Sequence, residues 1–141
     1  MWVRLANDHE LEVISGVDAV AGVDPDRIRT LFSQSIADSG CWIAGYGDLP
    51  EGYLVLLRRH FFGRDFVSLV AVKSSARRRG LASILFQAAE SSATTRQLFT
   101  STNQSNRPMQ ALLEARGYQK AGVIDYLDID DPEVVFVRYV N

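Results

Sequence analysis

The sequence predicts a mixed α+β domain, in which helices flank a central, largely antiparallel mixed sheet of about six or seven strands. The first observation is compositional: the 141 residues are 47% hydrophobic and 23% charged, a balance typical of a globular domain. In addition, short apolar runs separated by turn residues fill the middle of the chain, and two later segments change to a helical period. Together they give the element order βααβββαβαββ within a single domain, residues 1–141.

The first half of the chain predicts one strand, two helices and three strands. Trp2–Leu5 alternates as a strand does, and Glu10–Val20 has a weak helical pattern. Asp24-Pro25 is typical of a helix start, and Gly40 of a helix end. Three apolar runs between turn residues then favour an antiparallel meander: Cys41–Tyr46, Gly52–His60 and Phe66–Val72.

The second half begins with an amphipathic helix over Gly80–Ala93, followed by a short strand over Gln97–Ser101. Asn106 and Pro108 open a further helix, which Gly117 ends. Two strands complete the chain, Tyr118–Asp125 and Glu133–Val140.

Composition disfavours several classes of function. A net charge of −2 argues against a general nucleic-acid binder, so we expect no nucleic-acid partner. One cysteine and two histidines disfavour a disulfide framework or a metal site. The charged first ten residues do not resemble a secretory signal, and no apolar run approaches the ~20 residues of a membrane span. We therefore expect a soluble, cytoplasmic protein with no membrane partner.

Three consecutive arginines, Arg77, Arg78 and Arg79, precede Gly80 at the predicted strand-to-helix junction. The first four N–H groups of a helix lack intrahelical partners, and the helix dipole adds partial positive charge there. Small residues, Gly80 and Ala82, would let a phosphate approach the backbone. We interpret the segment as a pyrophosphate-binding loop; the alternative is a solvated basic surface.

Two segments resemble one known family. Arg77-x-x-Gly80-x-Ala82, following Val72, is similar to the [QR]-x-x-G-x-[GA] acetyl-CoA motif of the GNAT N-acetyltransferase superfamily. The stretch from Asn106 to Gly117-Tyr118 resembles the family's N-x-x-A-x-x-L-Y-x-x-x-G-[FY] segment. Motif spacing and element order also match, so the resemblance covers essentially the whole chain.

The resemblance implies an acyltransferase that uses acetyl-CoA as co-substrate and acetylates a primary amine, on a small molecule or a peptide, by direct attack on the thioester. It implies that the backbone of Val70, Ala71 and Val72 pairs with the pantetheine arm. It implies that the pyrophosphate is held by the amides of Arg78, Arg79, Gly80, Leu81, Ala82 and Ser83. Arg77, the first residue of the motif, would add charge and hydrogen-bond donors to the cofactor site. Asn106 would bond the pantetheine, cap its helix, or both. Homodimers are common among the proteins it resembles, so a homodimer is one option.

The usual catalytic side chains of the family are missing. Its Glu or His base positions hold Phe66 and Ser68, and its tyrosine acid position holds Leu113. Glu51 is the first candidate for a base acting through water; the alternative is an exposed turn acid. Tyr118 is a candidate acid if its ring points to the thiol; the alternative is core packing.

These departures keep a second function open, a GNAT-fold module that binds acyl-CoA for regulation and has little or no catalytic activity. An arginine-based RNA or nucleotide binder is a further alternative, disfavoured by the acidic balance. The acidic segment Asp128–Glu133 either attracts a cationic acceptor or is a solvated turn. Trp42, Tyr46 and Phe61-Phe62 either line an acceptor pocket or, as is commoner for strand aromatics, belong to the core.

Overall fold

A computed structural model describes residues 1–15 and 24–140, and within them the chain forms seven strands and four helices. Their bounds are β1 (Trp2–Leu5), α1 (Leu11–Ser15), α2 (Pro25–Ala37), β2 (Cys41–Gly45), β3 (Gly52–Phe61), β4 (Arg64–Val72), α3 (Leu81–Ser92), β5 (Gln97–Asn103), α4 (Arg107–Ala115), β6 (Gln119–Ile124) and β7 (Glu133–Tyr139). The predicted order is confirmed, and the strand boundaries differ from the predicted ones by no more than two residues. Residues 16–20 of the first predicted helix lie outside the described part of the chain.

The strands form one sheet in the order β1-β2-β3-β4-β5-β7-β6. The predicted meander is confirmed, because β2 pairs antiparallel with β3 and β3 antiparallel with β4. Among the strand pairs of the described residues, β4–β5 alone is parallel. Among residues 1–15 and 24–140, no helix has the length and apolarity needed to span a membrane.

The sheet separates two cores. Leu54 and Val55, successive residues of β3, belong to different buried clusters, and successive strand residues point to opposite faces. On one face α1 and α2 cover the sheet, with Ile14 and Phe32 fully buried. On the other, α3 and α4 cover it, and the buried residues there include Leu85, Phe86, Leu113 and Phe136.

The predicted helix starts are confirmed in atomic detail. The Asp24 carboxylate accepts a hydrogen bond from the Asp26 amide at 3.1 Å, with Pro25 in the first turn of α2. The Asn106 side chain accepts one from the Met109 amide at 3.2 Å at the start of α4. Both satisfy amide groups that the helix itself leaves unpaired.

Strand β4 contains a β-bulge at Ser68, next to the point where the sheet divides into two halves, β1–β4 and β5–β7. Val55 lies opposite Leu69, whereas the next residue, Leu56, lies opposite Val67, so Ser68 is the extra residue of β4. A bulge bends its strand and strengthens the local twist. Pairing with β5 ends at Val67, the residue before the bulge. Beyond Val67 no described register pair joins β4 to β5, so the two strands are unpaired with each other toward their carboxyl ends.

Candidate functional site

The open edge of β4 lies beyond the bulge. Val70, Ala71 and Val72 pair with β3 on one side. Toward β5 they have no strand partner, since the described β4–β5 register covers only residues 65–67 and 98–100. An exposed strand edge presents backbone N–H and C=O groups to which an extended ligand can bond as an added strand would.

The chain then turns from β4 into α3 through a short, well-anchored loop. The Lys73 amide donates to the Glu51 carbonyl at 2.7 Å, which extends the β3–β4 ladder by one bond. A single 3₁₀ turn, Ser74–Ala76, follows and buries Ala76. Residues 77–80, hereafter the arginine-glycine loop, lead directly into the first turn of α3.

The arginine-glycine loop ends in a left-handed backbone conformation that exposes helix amides. Gly80 caps α3 with φ 93°, and Arg78 also has a positive φ of 61°. A Cβ atom on Gly80 would meet nothing within 4 Å, so open space lies before the helix. Glycine offers no side-chain acceptor, and helix geometry leaves the amides of Leu81, Ala82 and Ser83 unpaired. The arrangement can bind an anion such as a phosphate.

The three arginines of the loop have different surroundings. The Arg77 Nε donates to the Val72 carbonyl at 3.0 Å, which folds that side chain back over the end of β4. The Arg79 guanidinium lies 3.9 Å from the centroid of the Tyr46 ring. Arg78 is exposed and makes no hydrogen bond or ion pair with the part of the chain that the structure describes. Its charge is therefore available to a ligand.

Glu51 lies at the start of β3 and holds the β2–β3 turn. Its Oε1 accepts a hydrogen bond from the Tyr46 amide at 2.9 Å, and its own amide donates to the Ala44 carbonyl at 2.8 Å. Its carbonyl accepts a hydrogen bond from the Lys73 amide, so the residue lies beside the carboxyl end of β4, on the β3 side. Glu51 has the turn position expected from the sequence, but its side chain is half-buried rather than exposed. Within the described part of the chain its second carboxylate oxygen accepts no hydrogen bond, so it can bond water.

Tyr118 is placed in the core rather than toward the open edge, which corrects the acid role considered from the sequence. Its hydroxyl donates to Glu90 at 2.8 Å, and its ring packs against Phe86 with 5.9 Å between centroids. Burial away from water, and next the negative charge of Glu90, raise the pKa of the Tyr118 hydroxyl. Leu113, at the family's tyrosine position, is also fully buried. Both side chains serve packing.

The acidic loop between β6 and β7 lies at the end of the sheet where β4 and β5 separate. Parallel strands place their carboxyl ends on one side, so Val72 and Asn103 lie at this same end. The Asn103 side-chain NH₂ donates to the Asp128 carboxylate at 2.8 Å, and the Ser105 hydroxyl donates to the Asp131 carboxylate at 2.6 Å. Asp130 is exposed between them.

Two features of the site were not found by sequence reasoning. The Ser68 bulge depends on the register with β3, for which the sequence carries no local signal. The sequence predicts a pocket or core role for Tyr46, and the structure shows in addition a contact between its ring and Arg79. A tyrosine at the end of a strand gives no sign of a contact 33 residues away in sequence.

Comparisons with known proteins point to one family. The model of the Acetyltransferase (GNAT) family matches residues 10–118. The chain is similar to a GNAT-family acetyltransferase from Bacillus cereus, at 31% identity and a TM-score of 0.89, over 99% of this chain and 97% of that one. A comparison with curated proteins gave no match.

Two more distant structures share the fold. One is a candidate acetyltransferase from Salmonella typhimurium with its cofactor acetyl-CoA, at 13% identity and a TM-score of 0.82, over 100% of this chain and 94% of that one. The other is the NatC complex bound to Gag peptide and CoA, at 17% identity and a TM-score of 0.77, over 99% and 98% of the two chains.

Proposed function

Because the chain belongs to the GNAT acetyltransferase family, we propose that it transfers an acetyl group from acetyl-CoA to a primary amine. Residues 1–141 would form one catalytic domain. Acetyl-CoA supplies an acetyl group activated as a thioester. The amine attacks the thioester carbonyl directly, the new C–N bond forms as the C–S bond breaks, and CoA leaves as a thiolate that takes a proton from water. The chain's own contribution is to bind and orient the two reactants, which can lower a barrier by about 7–11 kcal/mol.

One observation carries this proposal: the open edge of β4 is followed, through the arginine-glycine loop, by the unpaired amides at the start of α3. A ligand with an extended amide-containing arm and a diphosphate fits this order of groups. The backbone of Val70–Val72 would bond the pantetheine arm, and the amides of residues 78–83, with Arg78 beside them, would hold the pyrophosphate. Asn106, at the start of α4, would donate its side-chain N–H to the arm.

The acceptor is a small-molecule or peptide amine. The acidic loop beside the open end of the sheet supports a cationic acceptor, because Asp128 and Asp130 place negative charge there. A more distant protein of the same fold holds a peptide together with CoA. We propose Glu51 as the group that receives the amine proton through water, since it lies beside the end of β4.

A second candidate is a module that binds acyl-CoA without efficient catalysis. It is favoured by the burial of Leu113, which leaves no hydroxyl at the family's acid position, and by Phe66 at a base position, where the ring stacks on Phe61 at 5.0 Å. Release of free thiol in the presence of amines distinguishes the two functions.

The test is calorimetric titration with acetyl-CoA of the native protein and two variants. Gly80→Glu places a carboxylate before α3, and we expect it to abolish binding. Gly63→Glu is the matched control, because Gly63 also has a positive φ and open space around its Cβ position but lies in the β3–β4 turn. Micromolar binding by the native protein and the control, lost in Gly80→Glu, would support the proposal. Equal binding by all three, or none by the native protein, would overturn it.

A further inference from the structure

We infer that Tyr46 is a positioning residue for cofactor binding, because it fixes the arginine-glycine loop in the conformation that directs the α3 amides at the pyrophosphate. The inference rests on the proposed function and adds a residue that neither family motif contains. Tyr46 lies just after β2, 33 positions before Arg79. It would act through the loop and would not itself contact the acetyl group.

Two contacts join Tyr46 to Arg79. The tyrosine hydroxyl donates a hydrogen bond to the backbone carbonyl of Arg79, the residue directly before Gly80. The ring also lies against the Arg79 guanidinium, 3.9 Å from its central carbon, within the range of a cation–π interaction. One contact fixes the backbone of the loop and the other fixes the side chain, while the edge of the planar guanidinium stays free for further hydrogen bonds.

Tyr46 is itself held from the opposite side. Its amide donates to Glu51 at 2.9 Å, and the next residue, Gly47, accepts a bond from the Trp2 indole at 2.7 Å. Its half-buried ring packs against the core beneath α3. The tyrosine is therefore a fixed support that connects the β2–β3 turn to the loop.

The loop needs such a support because its own sequence disfavours the bound shape. Arg78 adopts a positive φ that non-glycine residues rarely adopt, and Gly80 gives the chain unusual freedom at the next left-handed position. Three adjacent positive charges also repel one another. A loop ordered before binding does not have to be ordered by the ligand, and affinity rises accordingly.

The test compares Tyr46→Phe and Tyr46→Leu with the native protein. Phenylalanine removes the hydroxyl bond and keeps the ring, whereas leucine removes both contacts. We expect acetyl-CoA to bind about threefold more weakly to Tyr46→Phe and more than tenfold more weakly to Tyr46→Leu. S-acetylpantetheine, which has no phosphate, should bind all three proteins with equal affinity in a competition assay. A general loss of structure would weaken the binding of both ligands.

The matched control is Tyr139→Leu. Tyr139 is an exposed tyrosine with its own arginine, Arg96, 5.9 Å from the ring centroid, at the end of β7. We expect the Tyr139→Leu variant to bind acetyl-CoA with the affinity of the native protein. Equal weakening of acetyl-CoA and S-acetylpantetheine in the Tyr46 variants, or unchanged binding of both, would overturn the inference while leaving the proposed function intact.

A second readout needs no cofactor. In the free protein, the Ile84 amide, which donates to the Gly80 carbonyl at 3.1 Å, should exchange with solvent faster in Tyr46→Leu than in the native protein, while amides of β5 exchange at the native rate. Unchanged exchange at the Ile84 amide would overturn the inference even if the protein bound no acetyl-CoA. If Tyr46→Leu does not fold, Tyr46→Phe supplies the same comparison with a smaller expected difference.

Discussion

At the scale of single residues, Glu51 is the side chain whose two roles can be separated by one substitution. Glu51→Gln keeps an oxygen that can accept the Tyr46 amide bond, so we expect the free energy of unfolding to stay within about 0.5 kcal/mol of the native value. It removes the proton acceptor, and loss of a general base typically lowers kcat about 10²- to 10⁴-fold. The measurement is kcat against pH with a saturating amine.

The control for this substitution is Asp48→Asn, an exposed acid in the same β2–β3 turn. It changes the charge of the turn by the same amount and should leave kcat unchanged. Native kcat and an unaltered pH profile in Glu51→Gln would show that the carboxylate only holds the turn.

At the scale of elements, Asn106 begins α4 and is proposed to contact the pantetheine arm. Asn106→Ser keeps a capping oxygen, whereas Asn106→Ala removes it, so we expect only the alanine variant to lose stability, by about 1 kcal/mol. Both variants lack the side-chain N–H donors. Acetyl-CoA should therefore bind both more weakly, by about fivefold, since a hydrogen bond contributes roughly 0.5–1.5 kcal/mol. Calorimetry and denaturant unfolding measure the two effects, and native affinity in the serine variant would limit Asn106 to capping.

The elements themselves could be predicted because their signals are local. Asp24-Pro25 and Asn106 determine where helices begin through bonds that span two or three residues. The apolar face of α3 follows from its own spacing. The bulge at Ser68 could not be predicted in this way, because it exists only relative to β3. Tyr46 illustrates the same limit, since its partner is far away in sequence.

At the scale of the whole molecule, the open site weakens the sheet, and buried carboxylates stabilise the sheet at the opposite end. The two halves of the sheet, β1–β4 and β5–β7, pair along three described positions of β4 and β5, beginning at Asp65. Glu90 of α3 joins Arg116 after α4 and Arg138 of β7, the latter at 2.7 Å. These charged residues lie far apart in the sequence, so their ion pairs could not be predicted from local sequence patterns.

We expect Asp65 to contribute strongly to the stability of the fold, because its side chain is fully buried where β4 and β5 begin to pair. Its oxygens accept bonds from the Thr94 amide at 2.7 Å and the Arg59 amide at 3.0 Å. Burial alone raises the pKa of Asp65, but the hydrogen bonds from Thr94 and Arg59 and the charge of Arg58 outweigh it, so the pKa lies below its ordinary value. The carboxylate therefore stabilises the fold above the unfolded pKa of about 4, and this contribution is lost as the pH falls through the lower folded value.

Asp65→Asn should accordingly lower the free energy of unfolding by about 3 kcal/mol at pH 7, because it leaves buried donors and Arg58 without their charged partner. Urea unfolding should be measured from pH 7 down to pH 3. The difference in the free energy of unfolding between native protein and variant should narrow once the pH falls below about 4. Asp48→Asn, an exposed acid, should show no such gap at any pH. A gap of constant size across this range would contradict the ionised state of Asp65 and attribute the loss to packing alone.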